Sequence, residues 1–335
     1  MGKKDDFTVL FIGLGSVGKR HLRILRRIAK IKALKVMRKG VDPGDESEDI
    51  RDVKVCYSIA HAVEKKPDFA IISTPSAYHL KPAMELIDAR IPFIVEKPIS
   101  HNLDGLDLLQ EKAEKNNVPV LVGFQMRYHP AFDRIISWIK EGNIGRPLCL
   151  LGEVGQYLPD WRPLIDYRNN YSAHSNMGGG VILDLCHEID IALKIMGPIQ
   201  KVSCICGTYS DLEITSEDIA LISSEHQGKV VSNLCLNYIE RGYIWKTRIV
   251  GSKGTITWDY GSGFALLQTE GSRELQYEDP DGFHRDDLFL TQLKLWIEVV
   301  RGNAQPCVTL KEGIEAMKVC NAAHRSAAEA AHIFL

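Results

Sequence analysis

The chain has 335 residues, 45% of them hydrophobic and 25% charged, with 41 Lys+Arg against 43 Asp+Glu and a formal net charge of -2. Those values exclude a disordered or fibrous chain and argue against a general nucleic-acid binder. The length exceeds what one hydrophobic core usually supports, so two domains are expected.

From residue 7 to about 124, short apolar runs alternate with longer amphipathic stretches. Residues 8–12, 33–37, 69–73, 93–95 and 119–122 read as strands, and 19–29 as the clearest helix, with Leu22, Leu25 and Ile28 on one side. Continuous apolar strands joined by helices imply a parallel sheet covered on both faces. Past Arg127 the rhythm changes. A helix near 130–141 leads into period-two strands at 148–154, 202–208, 219–224, 230–238, 246–250, 255–258 and 266–269. That pattern predicts an antiparallel sheet, flanked by helices at 181–196 and 285–301 and followed by an Ala-rich amphipathic helix over 310–333. The expected domains are 1–125 and 126–309.

No stretch reaches the ~18 consecutive apolar residues of a membrane span. The run 7–14 lacks the small-residue cleavage site of a secretory leader, so a cytoplasmic protein is expected. The eight cysteines show no repeated C-x-x-C spacing and read as reduced thiols. Cys204 and Cys206 would share one face of a strand, but no second pair completes a zinc site, and no metal is expected.

The first strand runs into Gly13-x-Gly15-x-x-Gly18 and then a helix. In a dinucleotide fold Gly13 permits the tight turn, Gly15 lets the backbone approach a pyrophosphate, and Gly18 allows close helix–strand packing. Amides at the helix start, around Ser16 and Val17, would hold the phosphates. Where an acid would grip an NAD ribose, the next strand instead ends at Arg38 and Lys39, 20 and 21 residues beyond Gly18, with no Asp or Glu before Asp42. Arg or Lys there pairs with a 2′-phosphate, which predicts NADP in preference to NAD. A solvated basic edge is the alternative, since residues 19–39 carry ten Lys/Arg and no acid. The same stretch does not make a nucleic-acid site. Its helix must bury one side, and 42–52 supplies six acids to offset it.

Five ordered motifs coincide: GLGSVG, STPSAYH at 73–79, EKP at 96–98, GFQMRYHPAF at 123–132 and GGGVILDLCHEID at 178–190. Together they resemble the Gfo/Idh/MocA oxidoreductases, named for glucose–fructose oxidoreductase and inositol dehydrogenase. The segment VGQYLPDWRP…DYRNNYSA is also similar to members associated with nonulosonate pathways. The resemblance implies an α/β Rossmann domain followed by an α+β domain with a large, mostly antiparallel sheet that mediates self-association, and a C-terminal helix, 310–335, returning to the nucleotide domain. It further implies that Ser73, Thr74, Pro75 and His79 lie along the cofactor, that Glu96 and Lys97 approach the nicotinamide, and that the peptide before Pro98 is cis.

Lys97 follows an apolar strand at the edge where α/β sheets bind ligands. Its ammonium can donate to a substrate oxygen and stabilise developing alkoxide charge. A surface Lys paired with Glu96 is the commoner fate of an isolated Glu-Lys pair; the placement after a strand and the family motif reverse that expectation. Asp184 and His187 are three apart, which on one continuous helix would face the same side. A His with an adjacent carboxylate can exchange the carbinol proton as hydride moves. Most members of the family place the acid and the His four apart, so His187 is the firmer assignment and Asp190 a substitute partner for it. A metal site from Asp184, His187 and Glu188 lacks further ligands.

Arg127, Tyr157, Asp160, Trp161, Arg162, Tyr167, Arg168 and Tyr171 form a polar-aromatic group suited to a sugar-like substrate, an anionic one included, or equally to an oligomer contact. The leading expectation is an NAD(P)-dependent oxidoreductase acting on a hydroxyl or carbonyl of a sugar or sugar derivative. Two others compete with it: a lyase or glycosidase using transient oxidation, and a non-catalytic sensor of nucleotide and sugar.

Overall fold

The structure, a computed structural model, describes residues 6–36, 50, 52–163, 165–271 and 275–335. Its residues fall into two compact units, Met1–Gln125 with His284–Ile314, and Met126–Phe283 with Glu315–Leu335.

The first unit is built on β1 (Asp6–Ile12), β2 (Lys30–Val36), β3 (Lys54–Cys56), β4 (Phe69–Ile72), β5 (Phe93–Glu96) and β6 (Val120–Gly123). They pair in the order β3-β2-β1-β4-β5-β6, every ladder parallel. All residues of β4, β5 and β6 are buried, as expected of strands covered on both faces. Helices α1 (Ser16–Ile28), α2 (Ile59–Val63), α3 (Leu80–Asp88) and α4 (Leu106–Asn116) provide the cover. In α1 the residues Leu22, Ile24 and Leu25 are buried, while its arginines carry the outer side. The strand order reverses at β1, so the crevice at the carboxyl ends of β1 and β4 is the ligand position of a doubly wound sheet. β3 was not legible from periodicity, being only three residues long.

The second unit opens with α5 (Pro130–Lys140) and β7 (Pro147–Gly155), continues through short 3₁₀ turns to α6 (Val181–Asp184) and α7 (His187–Met196), and then forms β8 (Ile199–Gly207), β9 (Ile219–His226), β10 (Val230–Asn237), β11 (Ile244–Gly251), β12 (Gly254–Asp259), β13 (Phe264–Thr269) and β14 (Leu275–Glu278). With β15 (Ile333–Phe334) these make a sheet of order β14-β13-β12-β11-β7-β10-β9-β8-β15. β10 and β7 pair in parallel, and the remaining ladders are antiparallel. Burial alternates along β9 and β10 with the expected period of two.

The C-terminal helices divide differently from the boundaries expected at 126–309 and 310–335. Helix α8 (Arg285–Val300) joins the first unit, because Phe289, Leu293 and Trp296 belong to the core that contains Phe69 and Ile71, and Trp296 meets Phe69 edge-on at 6.2 Å. Helix α9 (Leu310–Glu329) has only its first turn in that unit, where Gly313 allows an approach to Val122 that a Cβ would block at 2.6 Å. From Glu315 onward it belongs to the second unit, held by Ser326 Oγ accepting from Cys204 N at 2.9 Å and by β15 pairing with β8. Among the described residues, no helix is long and apolar enough to cross a membrane. All eight cysteines are free thiols.

Candidate functional site

In the first unit the glycine loop is shaped by close backbone approaches. Gly13 has φ +97, and a Cβ there would lie 2.7 Å from Thr74 N. At Gly18 a Cβ would sit 2.4 Å from Gly13 O, so α1 closes on the turn only as glycine. Ser73 Oγ donates to Gly13 O at 2.7 Å, joining the end of β4 to the loop. Around Gly15, by contrast, a Cβ would meet nothing within 4 Å. The start of α1, at Ser16 and Val17, has no side-chain cap and no acid in its first turn. A positive helix end with no acid in its own first turn, and open space beside Gly15, fits a pyrophosphate. Arg38 and Lys39 lie outside the described residues.

The loops after β4 and β5 are tied together beside this cradle. His79 is buried, with Nε2 2.6 Å from Thr74 O and Nδ1 2.9 Å from Pro98 O. Burial pushes its pKa down while the two carbonyls oppose that shift; the neutral ring carries one N–H and so donates to one of these carbonyls at a time. The Lys97–Pro98 peptide is cis, and Lys97 is partly exposed at the end of β5. Glu96 turns inward instead. Its Oε1 lies 2.6 Å from Nε2 of His21, a fully buried residue of α1, and Gly123 makes room for Oε2, where a Cβ would come within 3.0 Å. His21 was missed in the sequence. Its signal was position: three residues past Gly18, on the buried side with Leu22 and Leu25.

In the second unit the helix expected over 181–196 is broken. Leu185 leaves helical geometry at φ -102 and ψ 20, and α7 restarts at His187. Asp184 and His187 therefore do not ride on one helical face; they flank a break. The Asp184 carboxylate accepts from the phenols of Tyr171, at 2.7 Å, and Tyr238, at 2.6 Å. Burial, with the Asp184 charge, holds both phenols well above the ordinary tyrosine pKa, so they remain donors. Trp161 stands edge-on to Tyr238 at 5.2 Å, which brings it to the same cluster. The Arg162 guanidinium donates to Asn170 Oδ1 at 3.2 Å, and its charge acts on Tyr171.

His187 is buried, its ring 5.7 Å from that of Trp245. Trp245 Nε1 and Thr247 Oγ1 both donate to the neighbouring Glu188, the latter at 3.1 Å, in space left by Gly152. Burial pushes Glu188 up to about 7. Asp190 accepts from Nε and Nη2 of Arg127, both at 2.7 Å, as a buried bidentate pair. The Asp190 carboxylate, weighed above as a partner for His187, is a bidentate acceptor of Arg127. Tyr157 lies under the Arg241 guanidinium at 3.6 Å, while Tyr167 and Arg168 turn to Glu213 at the surface. The polar-aromatic segment accordingly splits. Trp161, Arg162 and Tyr171 gather at Asp184; Tyr157, Tyr167 and Arg168 do not.

A doubly wound parallel sheet with a glycine-lined phosphate cradle, followed by a large antiparallel-sheet unit with a buried Asp–Tyr–Tyr cluster, defines a class of nucleotide-dependent oxidoreductases. The family model described as "Oxidoreductase family, NAD-binding Rossmann fold" matches residues 7–124, and that described as "GFO/IDH/MocA C-terminal domain" matches 132–257. The chain belongs to the Gfo/Idh/MocA oxidoreductase family. It is 26% identical to a myo-inositol 2-dehydrogenase of Thermotoga maritima over 95% of both chains. It is 24% identical to the oxidoreductase YrbE of Bacillus subtilis over 95% of this chain and 93% of that protein. Levoglucosan dehydrogenase, solved in complex with NADH and levoglucosan, superimposes with a TM-score of 0.88 at 16% identity, covering 98% of this chain and 99% of that one, a likeness of fold.

Proposed function

We propose that this oxidoreductase transfers hydride between NADP, in preference to NAD, and a hydroxyl or carbonyl carbon of a sugar or sugar derivative. The observation that carries the reading is the position of Lys97. It leaves the carboxyl end of β5, on the edge of the parallel sheet that also presents the open glycine loop. A bound nicotinamide would supply the hydride acceptor or donor. Lys97 Nζ would donate to the substrate oxygen and stabilise charge as its proton leaves. His187 would take that proton in oxidation and return it in reduction, with Asp184 as its helper. Asp184 also holds the Tyr171 and Tyr238 phenols, which sets the orientation of the polar groups around it.

The substrate class is supported by Trp161 and Tyr238 beside that carboxylate and by relatives named for inositol and levoglucosan. NADP preference rests on the run of ten Lys/Arg over 19–39 and the absence of any acid before Asp42. Self-association would use the outward face of the second sheet, where Ile205, Leu221 and Val231 are exposed. A cytoplasmic location fits the eight free thiols. Neither the lyase nor the sensor alternative draws support from the fold or the relatives.

A cofactor-coupled screen of sugars, polyols, uronates and nucleotide sugars with NAD and NADP tests the proposal. Lys97→Ala should lower kcat by roughly 100-fold or more while cofactor affinity stays unchanged. Near-parental turnover in that variant would overturn the role of Lys97, and a clear preference for NAD would overturn the cofactor choice.

A further inference from the structure

Glu96 and Lys97 are chain neighbours with opposite fates: Glu96 is buried and Lys97 is partly exposed. The space that receives the Glu96 carboxylate is formed by residues from three other elements. His21 Nε2 of α1 lies 2.6 Å from its Oε1 and, facing a carboxylate, is the donor. Gly123, the partner of Glu96 across the β5–β6 ladder, leaves room that a Cβ would take, coming within 3.0 Å of Oε2. The His21 side chain is 0% exposed, and Phe289 of α8 meets its ring edge-on at 5.3 Å. His21 follows Gly18 by three residues on α1, so its bond ties the helix that opens the phosphate cradle to the last residue of β5.

We propose that His21 is a positioning residue for hydride transfer: through Glu96 it fixes the main chain from which Lys97 leaves, relative to the cradle at the start of α1. This role rests on the assignment of Lys97 made above. Phosphates held at Ser16 and Val17 would locate the first turn of α1, and His21 rides on the same helix one turn further along. The 2.6 Å bond carries that location across to Glu96, one residue before Lys97. With no part of its side chain exposed, His21 has no surface to offer cofactor or substrate and acts only through Glu96.

Stability alone does not account for the pair. The neighbours of His21 on the buried side of α1 are Leu22, Ile24 and Leu25, and an apolar residue at 21 with another at 96 would bury at least as favourably as an imidazole and a carboxylate. What the polar pair adds is direction. Apolar packing is non-directional, whereas a hydrogen bond sets both the separation and the angle between the two elements it joins.

The chemical reactivity of Lys97 reports its placement without any turnover. Trace acetylation of the folded protein with acetic anhydride, read lysine by lysine by peptide mass spectrometry, is compared with and without saturating NADPH or NADH. In the parent protein, bound cofactor should slow acetylation of Lys97 several-fold. His21→Leu combined with Glu96→Met removes the anchor without leaving a buried carboxylate unpaired, and at saturating cofactor it should lose that protection. His21→Asn, too short to reach Glu96, should lose it as well, whereas His21→Gln, whose amide can donate from the place of Nε2, should keep it. With a substrate from the screen above, the double variant should lose roughly 10- to 100-fold in kcat, because about an ångström of misplacement suffices, and His21→Gln should retain most of the parental rate. Protection that persists in both the double variant and His21→Asn, or is lost equally in His21→Gln, would overturn the positioning role and leave the assignment of Lys97 standing. No protection of Lys97 in the parent with cofactor bound would overturn that assignment, and the role of His21 with it.

Discussion

Replacing Glu188 by Gln should stabilise the protein, and only at the alkaline side of its titration. The Glu188 side chain is fully buried, and burial is the largest cause raising its pKa from 4.5 to about 7, with the Asp190 charge adding to it and the Trp245 and Thr247 donors opposing. The folded-state value is therefore higher than the unfolded one. Below about pH 4.5 both states are protonated and the group contributes nothing. Between 4.5 and 7 the unfolded chain ionises while the folded one holds its proton, so stability falls as pH rises. Above about 7 the full penalty is present, roughly 3 kcal/mol at 1.36 kcal/mol per unit. Gln keeps the shape, can accept from Trp245 Nε1 through its oxygen and can donate to the Thr247 hydroxyl through its amide. Urea unfolding of the two proteins at pH 5, 6, 7 and 8, followed by tryptophan fluorescence, isolates the effect, because other titrating groups cancel in the difference. Four of the five tryptophans, Trp138, Trp161, Trp245 and Trp258, lie in the second unit, so most of the signal reports the unit that contains Glu188, with Trp296 reporting the first. The variant should exceed its parent by about 1 kcal/mol or less at pH 5 and by about 3 kcal/mol at pH 8. A stability difference that stays flat across this range, or one that favours the parent more as pH rises, would refute the reasoning.

Three further outcomes follow from the packing. Arg127→Ala leaves the buried Asp190 carboxylate without its bidentate partner and should cost about 3–5 kcal/mol in chemical unfolding, whereas Arg127→Met combined with Asp190→Leu should recover most of that loss. Gly18→Ala places a methyl 2.4 Å from Gly13 O, so a fluorescence titration with reduced cofactor should show at least roughly tenfold weaker binding while the second unit keeps its own unfolding transition. Tyr238→Phe removes one of the two donors to Asp184; the lost hydrogen bond to a charged group, about 1.5–3 kcal/mol, should lower thermal stability and kcat/KM, with Kd for the cofactor unchanged.

Local pattern alone determined much of this protein. The apolar runs of β1, β4, β5 and β6 could only be buried strands, the glycine triplet after β1 could only turn sharply into α1, and the period-two segments after Arg127 could only be a one-sided sheet, because each of these signals is contained within a few neighbouring residues. The same locality set the limits of that reading. Whether 181–196 is one helix or two was decided where Leu185 leaves helical geometry, a difference that hydrophobic spacing does not encode. Phe289, Leu293 and Trp296 read as any amphipathic helix would, and only long-range packing against Phe69 assigned them to the first unit. The partners of the charged groups were likewise invisible: Glu96 found His21, 75 positions away, Asp190 found Arg127 at 63, and Asp184 found Tyr238 at 54. A carboxylate carried into low dielectric must find a donor wherever the fold supplies one, and sequence separation has no bearing on which donor that is.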